Sequence, residues 1–378
     1  MKSRSGTTFF AALSIACAAL ILYAYLLMNY YVLGGAGGRT TAASGEELSA
    51  SSLVFLAEAP PPLGAAPLDC PSFLSSVSSK QRLDVVDPNG GRMYARLTTT
   101  SPPFFMSMHE ESFDEVRFEI FRSGAYYERV MTEAFAEILK EDRALPDRRV
   151  LDVGGNIGWF TFLAASLDYH VDVFEPNLVN GLRICEAMKL NELVGRTEGE
   201  LARQTASESS VVNYYPFGVG SVDESKTFYV PTGSNPGVGS YIKFDQSIAV
   251  DVGVVTLDKI AEDKGWFKSR PAIAILKIDV EGFEPQAIEG ALRLLRSGMV
   301  ENIFMESRNG DDEAVSKSMY DSITEAGFRL HKYGGWAGPD KLFGGGPASD
   351  GGKSTSHFLD QLRAAMPAQS INLWWKLQ

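Results

Sequence analysis

Residues 150–177, VLDVGGNIGWFTFLAASLDYHVDVFEPN, limit the fold of this chain more than any other stretch. A short apolar run, a glycine-rich turn, an apolar helix and a second apolar run ending in an acid give the order strand, turn, helix, parallel strand. Asp152 closes the first strand and Glu175 the second. Gly154, Gly155 and Gly158 permit a tight turn and bring a ligand close to the main-chain N–H groups that open the helix. Glu175 lies at the carboxyl edge of the next strand, placed to accept hydrogen bonds from both hydroxyls of a ribose. The pattern is half of a nucleotide-binding α/β sheet. A dinucleotide fingerprint needs Gly-x-Gly-x-x-Gly, and Asn156 stands where its second glycine falls. Close passage of a pyrophosphate is less well provided for, which disfavours an NAD-dependent oxidoreductase.

The chain has 378 residues, room for one large α/β domain with appendages or for two domains. Its formal charge of −12 and its lack of clustered Lys and Arg argue against a nucleic-acid partner. Cys17, Cys70 and Cys185 include no pair at metal-ligand spacing, and a Cys70–Cys185 disulfide is allowed but not favoured. His109, His170, His331 and His357 show no metal spacing either, so polar or surface roles and no metal are expected.

No charged residue occurs between Arg4 and Arg39, and residues 9–33 are apolar or aromatic almost throughout, long enough to cross a bilayer as a helix. Lys2 and Arg4 precede this run while Glu46, Glu47 and Glu58 follow it, which leaves residues 1–8 as a short cytoplasmic tail. A cleaved signal peptide is the competing reading, but its apolar core is about half as long, and Tyr23, Tyr25, Tyr30 and Tyr31 resemble an interfacial belt. The expectation is a type II anchor in the Golgi or another secretory-pathway membrane, with the rest of the chain luminal. Residues 34–81 are rich in Gly, Ala, Ser and Pro, a composition unable to offset the ordering of its backbone, and read as a disordered stem.

The folded domain is expected over residues 82–378, with its core at about 148–307. Alternation predicts short strands near 93–97 and 104–108, and helical spacing predicts a helix over 126–139. Further helices are expected over 181–193, 285–295 and 313–326. Strands are expected at 211–218, 227–230, 248–256, 273–279, 303–306, 328–333 and 371–376. The 273–279 run is apolar apart from Lys277 until its carboxyl end, as in a central strand buried on both faces. The Gly/Ser/Pro-rich loop at 231–240 is expected to cover a site, and the segments at 192–210 and 334–353 have no assigned role.

Residues 276–284, LKIDVEGFE, put three acids and a glycine where that central strand opens onto the ligand crevice. The turn Asp-x-Gly-x-Asn-x-Gly at residues 152–158 resembles the first motif of class I S-adenosylmethionine-dependent methyltransferases. Taken with Thr256-Leu257-Asp258 and the 276–284 run, it resembles the FkbM family of methyltransferases. The similarity spans about residues 108–306 and includes nothing of the anchor or stem. It implies a doubly wound, Rossmann-like, seven-stranded fold and methyl transfer from S-adenosylmethionine to an oxygen of a glycan or other small hydroxylated acceptor. Under that resemblance Asp152, Gly154, Gly155, Asn156, Gly158 and Glu175 bind the cofactor. A hydroxyl nucleophile needs a base, and the carboxylates at the strand mouth are the candidates. Asp279 comes first and Glu281 second, Glu284 gives support or faces its own helix, and Lys277 holds an acid ionised or steers an anionic acceptor. A non-catalytic binding module of the same fold is the alternative that intact acids at both sites disfavour.

Overall fold

The computed structural model describes residues 66–77, 95–109, 120, 127–141, 148–193, 211–231, 239–307, 312–335, 344–345 and 371–378. They all fall in one compact unit, residues 50–378. The expected tail and membrane span (1–8 and 9–33), most of the stem and most of the 192–210 and 334–353 segments lie outside the described residues. Among the described residues no helix is long and apolar enough to cross a membrane.

In chain order the elements begin with helix α1 (Cys70–Ser76), the hairpin strands β1 (Ala95–Leu97) and β2 (Phe105–Ser107), and helix α2 (Arg129–Glu141). Then come β3 (Arg149–Val153), α3 (Trp159–Ser166), β4 (His170–Phe174), α4 (Leu178–Leu190) and β5 (Val212–Tyr215). Strands β6 (Phe217–Val219), β7 (Glu224–Pro231) and β8 (Ser247–Val255) lead to the short helices α5 (Leu257–Asp263) and α6 (Trp266–Ser269). The remainder is β9 (Ile273–Ile278), α7 (Glu284–Glu289), α8 (Leu292–Arg296), β10 (Val300–Ser307), α9 (Glu313–Glu325), β11 (Phe328–Gly335), β12 (Gly344–Gly345) and β13 (Ile371–Leu377).

The main sheet has the order β12-β11-β13-β10-β9-β3-β4-β5. Strands β10, β9, β3, β4 and β5 run parallel, and β13 is antiparallel to both neighbours. The seven expected strands are present, with the two-residue β12 added at one edge. Successive residues of the central strands face opposite cores. Val150 and Ile275 pack with Phe135, Phe160 and Ile184 on the α2–α4 side. Leu151 and Leu276 pack with Ile288, Leu295 and Tyr320 on the α5–α9 side. This two-sided burial is why β9 reads as a continuous apolar run rather than an alternating one.

Four expectations are corrected. Residues 211–218 are two strands in two sheets: Pro216 separates β5 from β6, and β6 joins β8 and β7 in a small sheet of order β6-β8-β7. Residues 285–295 are two helices, α7 and α8, because Gly290 packs its backbone on that of Gly220, where a Cβ would overlap the Gly220 carbonyl oxygen. Order begins inside the stem: Asp69 caps α1, Pro71 sits in its first turn, and Cys70, Leu74 and Val77 are buried in the α2–α4 core. Cys70 is disulfide-bonded to Cys185 on α4, 115 residues away, so the pairing that spacing did not favour is made.

Candidate active site

The turn from β3 into α3 sits against the carboxyl ends of β4 and β9. The N–H groups of Gly154 and Gly155 both donate to the Phe174 carbonyl, at 2.9 and 3.1 Å. Gly154 has φ +79°, and a Cβ there would overlap the Asp279 carbonyl oxygen. Only a glycine lets the turn lie this close to the end of β9. Asn156, at φ +49°, takes the left-handed conformation that asparagine tolerates best after glycine. It therefore keeps a glycine's backbone while adding a side chain, whose Oδ1 is buried without a hydrogen-bond partner among the described residues. Gly155 and Gly158 are packing positions: a Cβ would strike Val173 at the first and Phe162 at the second.

Glu175 is buried, and its carboxylate accepts from the N–H of Asn156 at 2.8 Å and of Asn177 at 2.9 Å. Burial pushes its pKa up to about 7, against the pull of those N–H groups and of the Asn180 amide. Its first task is thus to brace the turn. A carboxylate has about four lone-pair sites, so capacity for a ribose diol remains.

Asp152 is buried beneath the turn. Its Oδ2 accepts from Thr161 Oγ1 at 2.6 Å, while Oδ1 has no hydrogen-bond partner among the described residues and lies 3.7 Å from Lys277 Nζ. Lys277, 3% exposed, bridges Asp152 to Asp279, whose Oδ2 is 3.4 Å away, and its ammonium lies 5.3 Å from the Phe160 ring centroid. Burial opposes its charge, but Asp279 and Asp152 more than offset that and hold its pKa above the usual lysine range. Strand β9 ends at Ile278, so Asp279 and Glu281 belong to a turn rather than to opposite faces of a strand. The Asp279 side chain is 33% exposed, and both acids line the same cleft as Gly154, Asn156 and Glu175. Glu284 points back into that turn, accepting from Val280 N at 3.0 Å and Gly282 N at 3.3 Å. Burial raises its pKa to about 7. It is the organiser of the 279–283 turn, not a lining residue.

The far wall of the cleft comes from the small sheet and was missed in the sequence. Tyr241 lines it with Phe228 and Gly218, its hydroxyl seated where a Gly218 Cβ would be. The Tyr241 ring is 4.3 Å from Phe283 and 5.0 Å from Phe228, centroid to centroid. Its hydroxyl is buried without a hydrogen-bond partner among the described residues. Thr256-Leu257-Asp258 proves structural: Thr256 caps α5, Leu257 is buried, and Asp258 accepts from Arg293 N and Leu294 N at the start of α8.

The unpaired Asn156 and Tyr241 atoms, with the acceptor capacity of Glu175, suit a ligand that offers a diol, a hydrogen-bond donor and a hydrogen-bond acceptor, as a nucleoside does. Fold and cleft together describe an α/β domain whose open site lies at the carboxyl edge of its parallel strands, where a nucleoside fits. Residues 152–330 match the methyltransferase FkbM domain family, which makes this domain a methyltransferase whose cofactor is S-adenosylmethionine. Similar solved structures include a SAM-dependent methyltransferase from Agrobacterium tumefaciens, at 10% identity over 77% of this chain and 73% of that one, with a TM-score of 0.37. Precorrin-6y C5,15-methyltransferase from Geobacter metallireducens shares 12% identity over 67% and 93% of the two chains, with a TM-score of 0.30. Magnesium protoporphyrin IX methyltransferase from Synechocystis, solved with bound SAM, shares 9% over 71% and 87%, with a TM-score of 0.32. At these scores none of the three carries an argument about this chain. No curated protein matches it.

Proposed function

We propose that this domain O-methylates a hydroxyl of a glycan or other small hydroxylated acceptor, with Asp279 as the base. The observation that supports this reading is the partly exposed Asp279 carboxylate on the cleft wall, beside Gly154 and across from Glu175. Asp152, the 154–158 turn and Glu175 would hold S-adenosylmethionine, which supplies an electrophilic methyl group on a sulfonium. Asp279 would take the hydroxyl proton of the acceptor that receives this methyl group. The protein's main work is to hold nucleophile and methyl carbon in line and to keep water out. Lys277 is too buried to touch an acceptor, so its part is to fix Asp279 from below. Glu281, on the same rim, would orient a second acceptor hydroxyl.

Asp279→Asn should lose at least a hundredfold in turnover, on the scale of general-base catalysis, while S-adenosylmethionine affinity measured by calorimetry stays within about threefold. Methyl transfer to a panel of hydroxylated acceptors, read by mass gain, checks the first part. Unchanged turnover would move the base elsewhere.

The luminal, membrane-anchored placement belongs to the same proposal. It is supported by the apolar run at 9–33 and by the Cys70–Cys185 bond, since disulfides persist in oxidising compartments. Protease protection of a C-terminal tag in sealed microsomes tests it, and a tag digested without detergent would reverse the topology.

A further inference from the structure

We infer that His109 is a positioning residue for cofactor binding, acting through Asn180 on the Glu175 carboxylate. The segment ahead of the family-matched residues would then complete the cofactor site. The inference rests on the reading of Glu175 as the ribose acid.

Strand β2 is fastened to α4 at successive levels. The Phe105 N–H donates to Asn191 Oδ1 and its carbonyl accepts from Asn191 Nδ2, both at 2.8 Å. Ser107 Oγ donates to Glu186 Oε2 at 2.6 Å, and Arg183 pairs with the same oxygen at 3.0 Å. Two residues on, His109 is 5% exposed and its Nε2 lies 2.9 Å from Oδ1 of Asn180, itself 1% exposed and in the first turn of α4. The Asn180 amide also faces the Glu175 carboxylate, close enough to pull its pKa down against burial.

The donor directions along this chain follow from chemistry. In its ionised form, the form that a ribose diol favours, the Glu175 carboxylate only accepts, so Asn180 then turns its NH2 toward Glu175 and its carbonyl oxygen toward His109. A carbonyl oxygen also only accepts, so His109 must carry a proton on Nε2. Each group fixes the orientation of the next, and the amide cannot turn without leaving Oδ1 or the carboxylate unpaired in a buried place. Glu175 is held from three sides: Asn156 N–H from the turn, Asn177 N–H from the start of α4, and the His109–Asn180 pair from behind.

The test uses the full chain and S-adenosylmethionine as the probe. His109→Ala and Asn180→Ala should each raise the cofactor Kd about tenfold, the effect of losing one hydrogen bond to a charged group. The double variant should be no weaker than the worse single one, because both break the same link. His109→Gln, which restores an N–H donor, should return Kd to within about threefold of wild type. Cofactor KM should rise while kcat at saturation holds, a split that a loss of general stability does not produce. If His109→Ala does not fold, His109→Met keeps bulk without a donor and gives the same contrast with His109→Gln. An unchanged Kd in the variants without a donor, or additive single effects, overturns the inference. Glu175→Ala separates the two layers. Retained affinity in that variant overturns the cofactor reading itself, whereas lost affinity beside an unaffected His109 variant overturns only the role of His109.

Discussion

Tyr241 carries a buried hydroxyl with no partner among the described residues, and a buried hydroxyl left unpaired costs on the order of 1–3 kcal/mol. Burial, and then the charge of Glu175, pushes its pKa above the usual tyrosine range, so the group remains a hydrogen-bond donor at neutral pH. A ligand atom that accepts from it removes that cost. Tyr241→Phe should therefore stabilise the ligand-free protein by roughly 1 kcal/mol and weaken binding of cofactor or acceptor by roughly 5- to 30-fold. Thermal melting with and without ligand reads both signs, and a destabilised variant with unchanged affinities would rule out a ligand contact. Asp152, Glu175 and Asp279 were legible in the sequence because each ends an apolar run, and strand ends in a parallel sheet share one edge. Tyr241 and His109 were not, because their meaning lies in contacts with Gly218 and Asn180, distant in the chain. Asn156 was read as a missing glycine. Its φ of +49° shows that the backbone requirement persists and that only the free space has changed.

The seven strands of the main sheet were legible because a strand buried on both faces is a run of apolar residues in any context. The breaks were not: Gly290 and Gly220 touch backbone to backbone, a contact between segments 70 positions apart that no local pattern encodes. Helix α4 is held harder than its own sequence suggests. Its residue Cys185 is bonded to Cys70, and Glu186, Asn180 and Asn191 each bind the β2 segment. Closing a loop of this length removes denatured-state entropy worth about 4–5 kcal/mol in the chain-entropy account. Cys70→Ser with Cys185→Ser should lower unfolding free energy by about 2–5 kcal/mol in denaturant titration. Because the N-terminal end of α4 carries Asn177 and Asn180 to Glu175, cofactor affinity should fall as well. Equal stability of the oxidised and reduced wild-type protein would show that the β2 contacts suffice without the bond.

Among the described residues two acids are held against their preference, Glu175 under the turn and Glu284 under the β9 edge, each raised by burial to about 7. A carboxyl whose pKa is higher folded than unfolded binds its proton more tightly in the folded state. Its contribution to stability is complete below the ordinary carboxyl range, near pH 4.5, and is lost as pH rises through about 7. Each group is worth on the order of 3 kcal/mol across that window. The formal charge of −12 adds self-repulsion of the same sign, so a fall in stability between pH 5 and pH 8 does not by itself identify the two acids. Glu284→Gln does: an amide oxygen still accepts from Val280 and Gly282, and no charge is left to bury. Urea midpoints of the cofactor-free protein should fall between pH 5 and pH 8 in the wild type, fall by visibly less in Glu284→Gln, and fall least when Glu175→Gln is added. A double variant as steep as wild type would assign the whole slope to surface repulsion. Cofactor binding adds a second reading, since a ribose diol that donates to Glu175 favours its ionised form. S-adenosylmethionine should therefore flatten the profile through Glu175 alone, and in a Glu175→Gln protein it should leave the Glu284 component unchanged.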